Sequence, residues 1–537
     1  MKVFLFYLTL ILQAFLAGGF PGASRPLVDL GYSTYEGLRL NAGVDQYLGM
    51  RYAAPPLGNL RFRAPQAPPR TDSIQTAFKH GPICVGLGEN VTTGDKAEDC
   101  LFINVFTPSN ATVTSRLPVW VFIQGGGYAQ NSNANYNGTK VVQESGHGIV
   151  FVTLNYRVGA LGFLASEKVR KNGNLNAGLL DQRMALQWVQ EHIPKFGGDP
   201  NHVVIHGCSA GAGSVGYHLV AYGGRDDHLF TGAIFQSPFW PTQRTVSETE
   251  WQFDRFVIDA GCVNAPDALA CLRSIDINQL QAANVASAFP NTTATPLVRW
   301  YFLPVVDNDL VVDRLYALFE RGRFIKVPVM VGDDTDEGSY FAFNASTKTE
   351  VSQFLRNYYP DLEKRQLETI NSVYEKSATL PYHAPFFSAA SAAYGDATFV
   401  CPGNHIAASI ARYLSPAHVW NYRVNVQDPP SLAEGLGVPH TIEVPAIFGP
   451  GYTGQGSYYE TVNAAVVPVI MNYWVSFVRS LDPNPHRYHH APEWHSWGSA
   501  AGIRMRLQTN NTAMERVPPD ATRKCEFWHN LAPAMQV

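Results

Sequence analysis

Val203-Val204-Ile205-His206-Gly207-Cys208-Ser209-Ala210-Gly211 runs from an apolar strand, through a serine flanked by glycines, into Gly211 to Tyr222 (GAGSVGYHLVAY), which reads as a helix. Gly-x-Ser-x-Gly between a strand and a helix is the chemistry of a nucleophile elbow. The glycines permit the sharp, strained turn that lifts a serine above a sheet edge. The helix N-terminus then aims its N–H groups at a developing oxyanion. The same stretch contains Gly211-Ala212-Gly213-Ser214-Val215-Gly216, a Gly-x-Gly-x-x-Gly pattern. A dinucleotide fingerprint would follow its strand directly and be answered by an acidic strand end further on. Here residues including the serine intervene and no such end follows, so nucleotide binding is not expected.

Outward from the elbow, short apolar runs alternate with amphipathic stretches. Leu117 to Ile123, Gly148 to Asn155, Val203 to His206, Val327 to Val331 and, more weakly, His418 to Tyr422 read as strands bounded by Gly, Pro and Asn. Continuous apolar runs suit a sheet covered on both faces. Asp181 to Ile193 carries i, i+4 apolar pairs and reads as a helix, with Asp181 as its N-cap. Strands separated by helices imply an α/β fold: a large, mostly parallel sheet with right-handed crossovers. The N-terminal region, roughly the first 90 residues, looks like Pro-rich antiparallel β. No linker divides the chain, which is expected to form a single domain over residues 24–537.

A second glycine run, Gln124-Gly125-Gly126-Gly127-Tyr128, ends the strand Leu117 to Ile123. It exposes successive N–H groups without side-chain obstruction, as an oxyanion hole requires. A serine nucleophile also needs a base and an orienting carboxylate, in the chain order Ser, acid, His for this arrangement. Downstream lie Asp333-Asp334-Thr335-Asp336-Glu337-Gly338 and Gly437-Val438-Pro439-His440-Thr441. His405, His418, His486, His489, His490 and His495 compete with His440 on sequence alone. The acidic run does not match a calcium loop, and the His-rich segment is Pro-rich and reads as a surface loop. Neither a metal nor a cofactor is expected.

The chain has 537 residues, a net charge of −4, 46 % hydrophobic and 16 % charged residues. That excludes a disordered chain and a basic nucleic-acid binder. Residues 1–23 have a basic start at Lys2, an apolar run too short to span a bilayer comfortably and small residues at its end, the pattern of a secretory signal. No stable membrane anchor is expected. Sequons at Asn90, Asn110, Asn137, Asn291, Asn344 and Asn510 fit an exported glycoprotein. Cys84 and Cys100 bracket one polar loop and Cys262 and Cys271 another. Cys208, Cys401 and Cys525 remain, and seven cysteines leave at least one thiol free or paired outside the chain.

Together these motifs resemble the type-B carboxylesterase/lipase family of the α/β-hydrolase fold, which includes fungal lipases, cholinesterases and the non-enzymatic neuroligins. The resemblance rests on Tyr52 to Pro56, Leu60-Arg61-Phe62, Glu98 to Val105, Asn155-Tyr156-Arg157, Gly162-Phe163, Asn176 to Gln182, Phe196 to Pro200 and the elbow, all in order. It implies Ser209 as nucleophile, Glu337 as acid and His440 as base. It also implies Gly126, Gly127 and Ala210 as oxyanion donors, and disulfides Cys84–Cys100 and Cys262–Cys271. The function implied is a secreted carboxylesterase working through an acyl-enzyme on a small-molecule or lipid ester. Phe239, Trp240 and Tyr128 are candidates for the substrate pocket. Lipase, sterol esterase and feruloyl-type activities are the alternatives, and an adhesion protein is disfavoured because all three triad types are present. Two departures stand out. Cys208 occupies the position before the nucleophile, where many members have Glu. The loop Val85 to Asp99 is short and polar and lacks an aromatic residue, which disfavours a cholinesterase and a lid-gated lipase. The oligomeric state is left open.

Overall fold

The apolar runs pair into one central sheet. The computed structural model describes residues 25–537 apart from 93, 133, 378, 454–457 and 499–501; the expected leader at 1–23 lies outside the described residues. In chain order the strands are β1 (Leu38–Leu40), β2 (Val44–Arg51), β3 (Phe102–Pro108), β4 (Leu117–Ile123), β5 (Val150–Leu154), β6 (Gly198–Cys208), β7 (Gly232–Gln236), β8 (Val329–Asp334), β9 (Val419–Val424), β10 (Ile503–Leu507) and β11 (Ala513–Arg516). They form an 11-stranded sheet in the order β11-β10-β9-β8-β7-β6-β4-β5-β3-β2-β1. Strands β4 to β10 are parallel. Both edges are antiparallel. A separate three-stranded sheet, Leu27–Asp29, Thr34–Glu36 and Gln75–Thr76, makes up part of the N-terminal β region.

The sheet is covered on both faces, which is why its central strands, such as β5 and β7, are buried along their whole length. On β4, Val119, Val121 and Ile123 enter one core while Trp120 and Phe122 enter the other. Helices α1 (Ala177–His192), α2 (Ala210–Gly224) and α3 (Cys401–Tyr413) supply Leu186, Leu219 and Ile406 to the first core. Helix α4 (Val467–Ser480) supplies Met471 and Trp474 to the second. Each fully buried aliphatic side chain contributes roughly 1.5–3 kcal/mol over an exposed one. Among the described residues no helix is long and apolar enough to cross a membrane.

One expectation is corrected here. Asp181 does not cap the helix. Helix α1 starts at Ala177, after Asn176 at φ 52°, and Asp181 is fully buried within it. Its oxygens accept from Arg157 Nε at 2.8 Å, Nη2 at 2.6 Å and the Arg157 N–H at 3.1 Å. A buried carboxylate needs such a partner, and that need outweighs its preference for a cap. A second buried pair explains two separated motifs: Arg61 Nε and Nη2 grip Glu98 at 2.5 and 2.9 Å, and Arg61 Nη1 reaches the Ile275 carbonyl at 2.6 Å. Both expected disulfides are formed. Cys401 and Cys525, 124 residues apart, form a third, and Cys208 is the free cysteine.

Candidate active site

Strand β6 ends at Cys208 and α2 begins at Ala210, leaving Ser209 between them at φ 58°, ψ −123°. Steric exclusion enforces this turn. A Cβ on Gly207 would lie 2.0 Å from the Gly211 carbonyl oxygen, and one on Gly211 would lie 2.0 Å from the Ile123 oxygen at the end of β4. Ser209 is then held by its backbone. Its N–H donates to the Gln236 carbonyl at 2.8 Å, and its carbonyl accepts from Gly213 at 2.9 Å and Phe239 at 3.2 Å.

The glycine run follows β4 and therefore lies beside the elbow. The Gly126 carbonyl accepts from Ala129 and Gln130 at 3.0 Å each, and the Tyr156 hydroxyl pins the Gln124 carbonyl at 2.9 Å. Among the described residues the N–H groups of Gly126 and Gly127 have no acceptor. Ala210 is the first residue of α2, where N–H groups lack intrahelical partners. Gly127 sits at φ +62°, and a Cβ there would reach within 2.0 Å of the Trp300 ring.

Glu337 follows β8, and His440 lies on the loop before Val444–Phe448. Both are buried, and Glu337 Oε2 is hydrogen-bonded to His440 Nδ1. Nε2 of His440 is buried without a hydrogen bond among the described residues. The two loops are bolted together: the Asp336 N–H donates to the Val438 carbonyl at 2.9 Å, and Asp336 Oδ2 accepts the Val438 N–H at 2.8 Å. Asp333, Asp334 and Glu443 are buried around them. Burial pushes the acidity of all three down, and the charges of Glu337 and Glu443 add to the shift; Glu443 is raised to about 7. Burial, followed by Glu443, Asp334 and Glu337, holds Cys208 well above the usual thiol range, so it stays a neutral thiol.

An aromatic wall joins the two halves. The Phe399 ring lies 4.5 Å from that of His440, Phe341 lies 5.1 Å from it, and Phe239 lies 5.6 Å from Phe399 and 5.7 Å from Trp300. Phe399 is placed by a π-helical turn, Asp396–Val400, between two α-helices. Of the pocket candidates, Phe239 belongs to this wall. Tyr128 is buried behind it against Phe163 and Tyr217. Trp240 points away, packing on Tyr316 and Phe319. Trp300, Phe341 and Phe399 were not singled out by the sequence reading; the clue available was the aromatic run Trp300-Tyr301-Phe302 and the place of Phe341 four residues past Glu337.

The competing histidines lie elsewhere. His405 packs on Tyr316 and His529, and burial lowers it to about 4. His418, His486, His489, His490 and His495 are exposed. Of the sequons, Asn90, Asn110, Asn291, Asn344 and Asn510 are exposed, while Asn137 is half-buried and its Thr139 is buried.

Residues 24–528 match the model of the carboxylesterase family. Among curated proteins, "Lipase 2" of Geotrichum candidum is 32 % identical over 87 % of this chain and 89 % of its own length. "Secreted lipase 4" of Gibberella zeae is 30 % identical over 93 % and 92 %. Among solved structures, that of Aspergillus niger EstA superposes with a TM-score of 0.95 at 62 % identity, covering 96 % of this chain and 99 % of that one.

Proposed function

Because this chain belongs to the carboxylesterase family, we propose that it is a secreted serine carboxylesterase with Ser209, His440 and Glu337 as its triad. The observation that carries the reading is the buried Glu337–His440 pair, whose Nε2 has no hydrogen bond among the described residues and whose ring packs on Phe399, which reaches Phe239 beside the Ser209 carbonyl. His440 Nε2 takes the Ser209 proton as Oγ attacks the ester carbonyl. Glu337 fixes the tautomer and stabilises the imidazolium. The N–H groups of Gly126, Gly127 and Ala210 receive the oxyanion, each worth on the order of 3 kcal/mol. His440 then protonates the leaving alcohol, and water repeats the sequence on the acyl-enzyme. Catalytic hydrogen bonds often tighten only once substrate is bound, so the absence of a bond to His440 Nε2 is compatible with this role.

The loop between Cys84 and Cys100 supports an esterase over a lid-gated lipase. It is tied down by Lys96–Glu89 at 2.5 Å, Arg51–Asp99 at 2.6 Å and Arg61–Glu98. A short loop held by ion pairs offers little apolar area to an oil–water interface. The names of the two curated relatives favour a lipase as the second reading. Export is supported by the three disulfides, by the leader-like residues 1–23 and by the name of the second relative. The test is a p-nitrophenyl ester chain-length series on the wild-type protein and Ser209→Ala. Activity is expected to peak at short, soluble esters and to vanish in the variant. Retained activity would sink the mechanism, and a maximum at long chains above the solubility limit would favour the lipase.

A further inference from the structure

Two loops meet at His440, and one residue bonds to both, through its backbone and its side chain. Asp334 ends β8. Its N–H donates to Glu337 Oε1 at 2.7 Å, while the other Glu337 oxygen faces His440. Its Oδ2 accepts the N–H of Thr441, the residue after His440, at 2.6 Å. Thr441 sits at φ 63°, where a β-branched residue is an outlier. Such a conformation persists only where its surroundings over-determine it, and the Asp334 carboxylate supplies that restraint.

Asp334 is itself in a costly position, since it is 1 % exposed and no cationic side chain meets it among the described residues. Its Oδ1 and both oxygens of Glu443 have no donor in good hydrogen-bond geometry among the described residues, though the Gln236 amide and the Glu443 backbone N–H lie near the Glu443 carboxyl. The two carboxyls are neighbours that influence each other's acidity through charge and a side-chain hydrogen bond. Two acceptors in contact in a dry pocket are satisfied by one proton between them. Asp333, Glu337, Cys208, Gln236, Tyr422 and Tyr459 make up the rest of that surrounding.

We propose that Asp334 is a positioning residue for the ester-hydrolysing site: its N–H orients Glu337 and its carboxyl fixes the backbone after His440. This rests on the triad reading above. The consequence is asymmetric. Loss of the Thr441 restraint would let the imidazole shift relative to Ser209 without touching the pocket that binds substrate. A misplacement of about 1 Å costs on the order of 100-fold in rate.

The experiment compares Asp334→Leu and Asp334→Asn on the full-length protein with a short p-nitrophenyl ester, alongside Ser209→Ala. Leu is nearly isosteric, removes a buried charge, and by itself need not destabilise the fold. Asn keeps an oxygen for Thr441 and an N–H for Glu443. Asp334→Leu is expected to lose about 100-fold in kcat with KM within about threefold, and Asp334→Asn to recover to within about fivefold of wild type. An Asp334→Leu enzyme within threefold of wild type in kcat overturns the proposal, as does an equal loss in both variants. If Leu does not fold, Asp334→Ala takes its place. Failure of both apolar variants to fold beside an active Asp334→Asn assigns the residue to stability alone and also overturns it. Activity surviving in Ser209→Ala would instead remove the triad reading, a separate outcome.

Discussion

Around Ser209 two glycines leave no room for one extra methyl, whereas around His440 the carboxylates of Asp333, Asp334, Glu337 and Glu443 share a pocket where none is more than 4 % exposed. Ser209 is fixed by exclusion: backbone against backbone, with no titrating group needed to hold it. The Glu337–His440 limb is fixed by hydrogen bonds in a pocket of buried carboxyls. One region should break when volume is added and ignore charge, and the other should tolerate volume-conserving changes but respond to charge. The contrast shows up even in histidines. His206, next to the elbow, accepts from Trp120 Nε1 at 3.2 Å and lies 3.1 Å from Gln236 Oε1, and burial lowers it to about 3 so that it stays neutral.

The largest effects are expected at the elbow. Gly211→Ala pushes a Cβ into the Ile123 carbonyl and should cost about 3 kcal/mol or more, read as loss of soluble protein or a much lower denaturation midpoint. Ser209→Ala fits the same space and should fold normally by circular dichroism, yet lose about 10⁴- to 10⁶-fold in kcat. Glu337→Gln should also fold, because one carboxylate leaves a crowded pocket, but lose about 10⁴-fold in kcat through the wrong His440 tautomer. Trp300→Ala removes the ring lying over Gly127 and should raise kcat/KM for longer acyl chains by about tenfold while leaving the shortest esters within about threefold.

The smallest effect concerns pH. Glu443 ionises near 7 in the fold against 4.5 when free, so the folded state holds its proton more tightly. That contribution is full below about pH 4.5 and is lost as pH rises through 7. His206 works the other way: its neutral burial costs nothing above pH 6.5 and destabilises as pH falls from there toward 3. Between pH 5 and 8 the wild-type Tm should therefore fall more than that of Glu443→Gln, by about 1–2 °C, measured by scanning fluorimetry. An identical slope in the two proteins would remove the electrostatic half of the comparison.

The same contrast governs what was legible in the sequence. Leu117 to Ile123 became β4 without a change of boundary, because Pro and Gly mark its ends. Ser209 was legible because its elbow is contiguous: strand, glycines and helix all lie within about twenty residues. Glu337 and His440 are brought together across 103 residues, and the local sequence offered rival histidines that only the family resemblance removed. Asp181 was misread because its partner, Arg157, lies 24 residues away and no local pattern announces a buried ion pair. Phe399 depends on a π-turn, and Trp300 on a loop folding over Gly127; neither leaves a periodic signal. The Cys401–Cys525 bridge was undecidable for the same reason, since its ends meet only through tertiary packing.

The measurement that bears most directly on the central claim is covalent trapping of the nucleophile. Incubation with a p-nitrophenyl alkylphosphonate, followed by intact-mass analysis and peptide mapping, reports where the reagent bonds. The account predicts one adduct per chain, on Ser209, with p-nitrophenol released in equal amount, activity lost in step, and no adduct on Ser209→Ala. An adduct on Cys208 or on any other residue, or inactivation that leaves Ser209 unmodified, would contradict it.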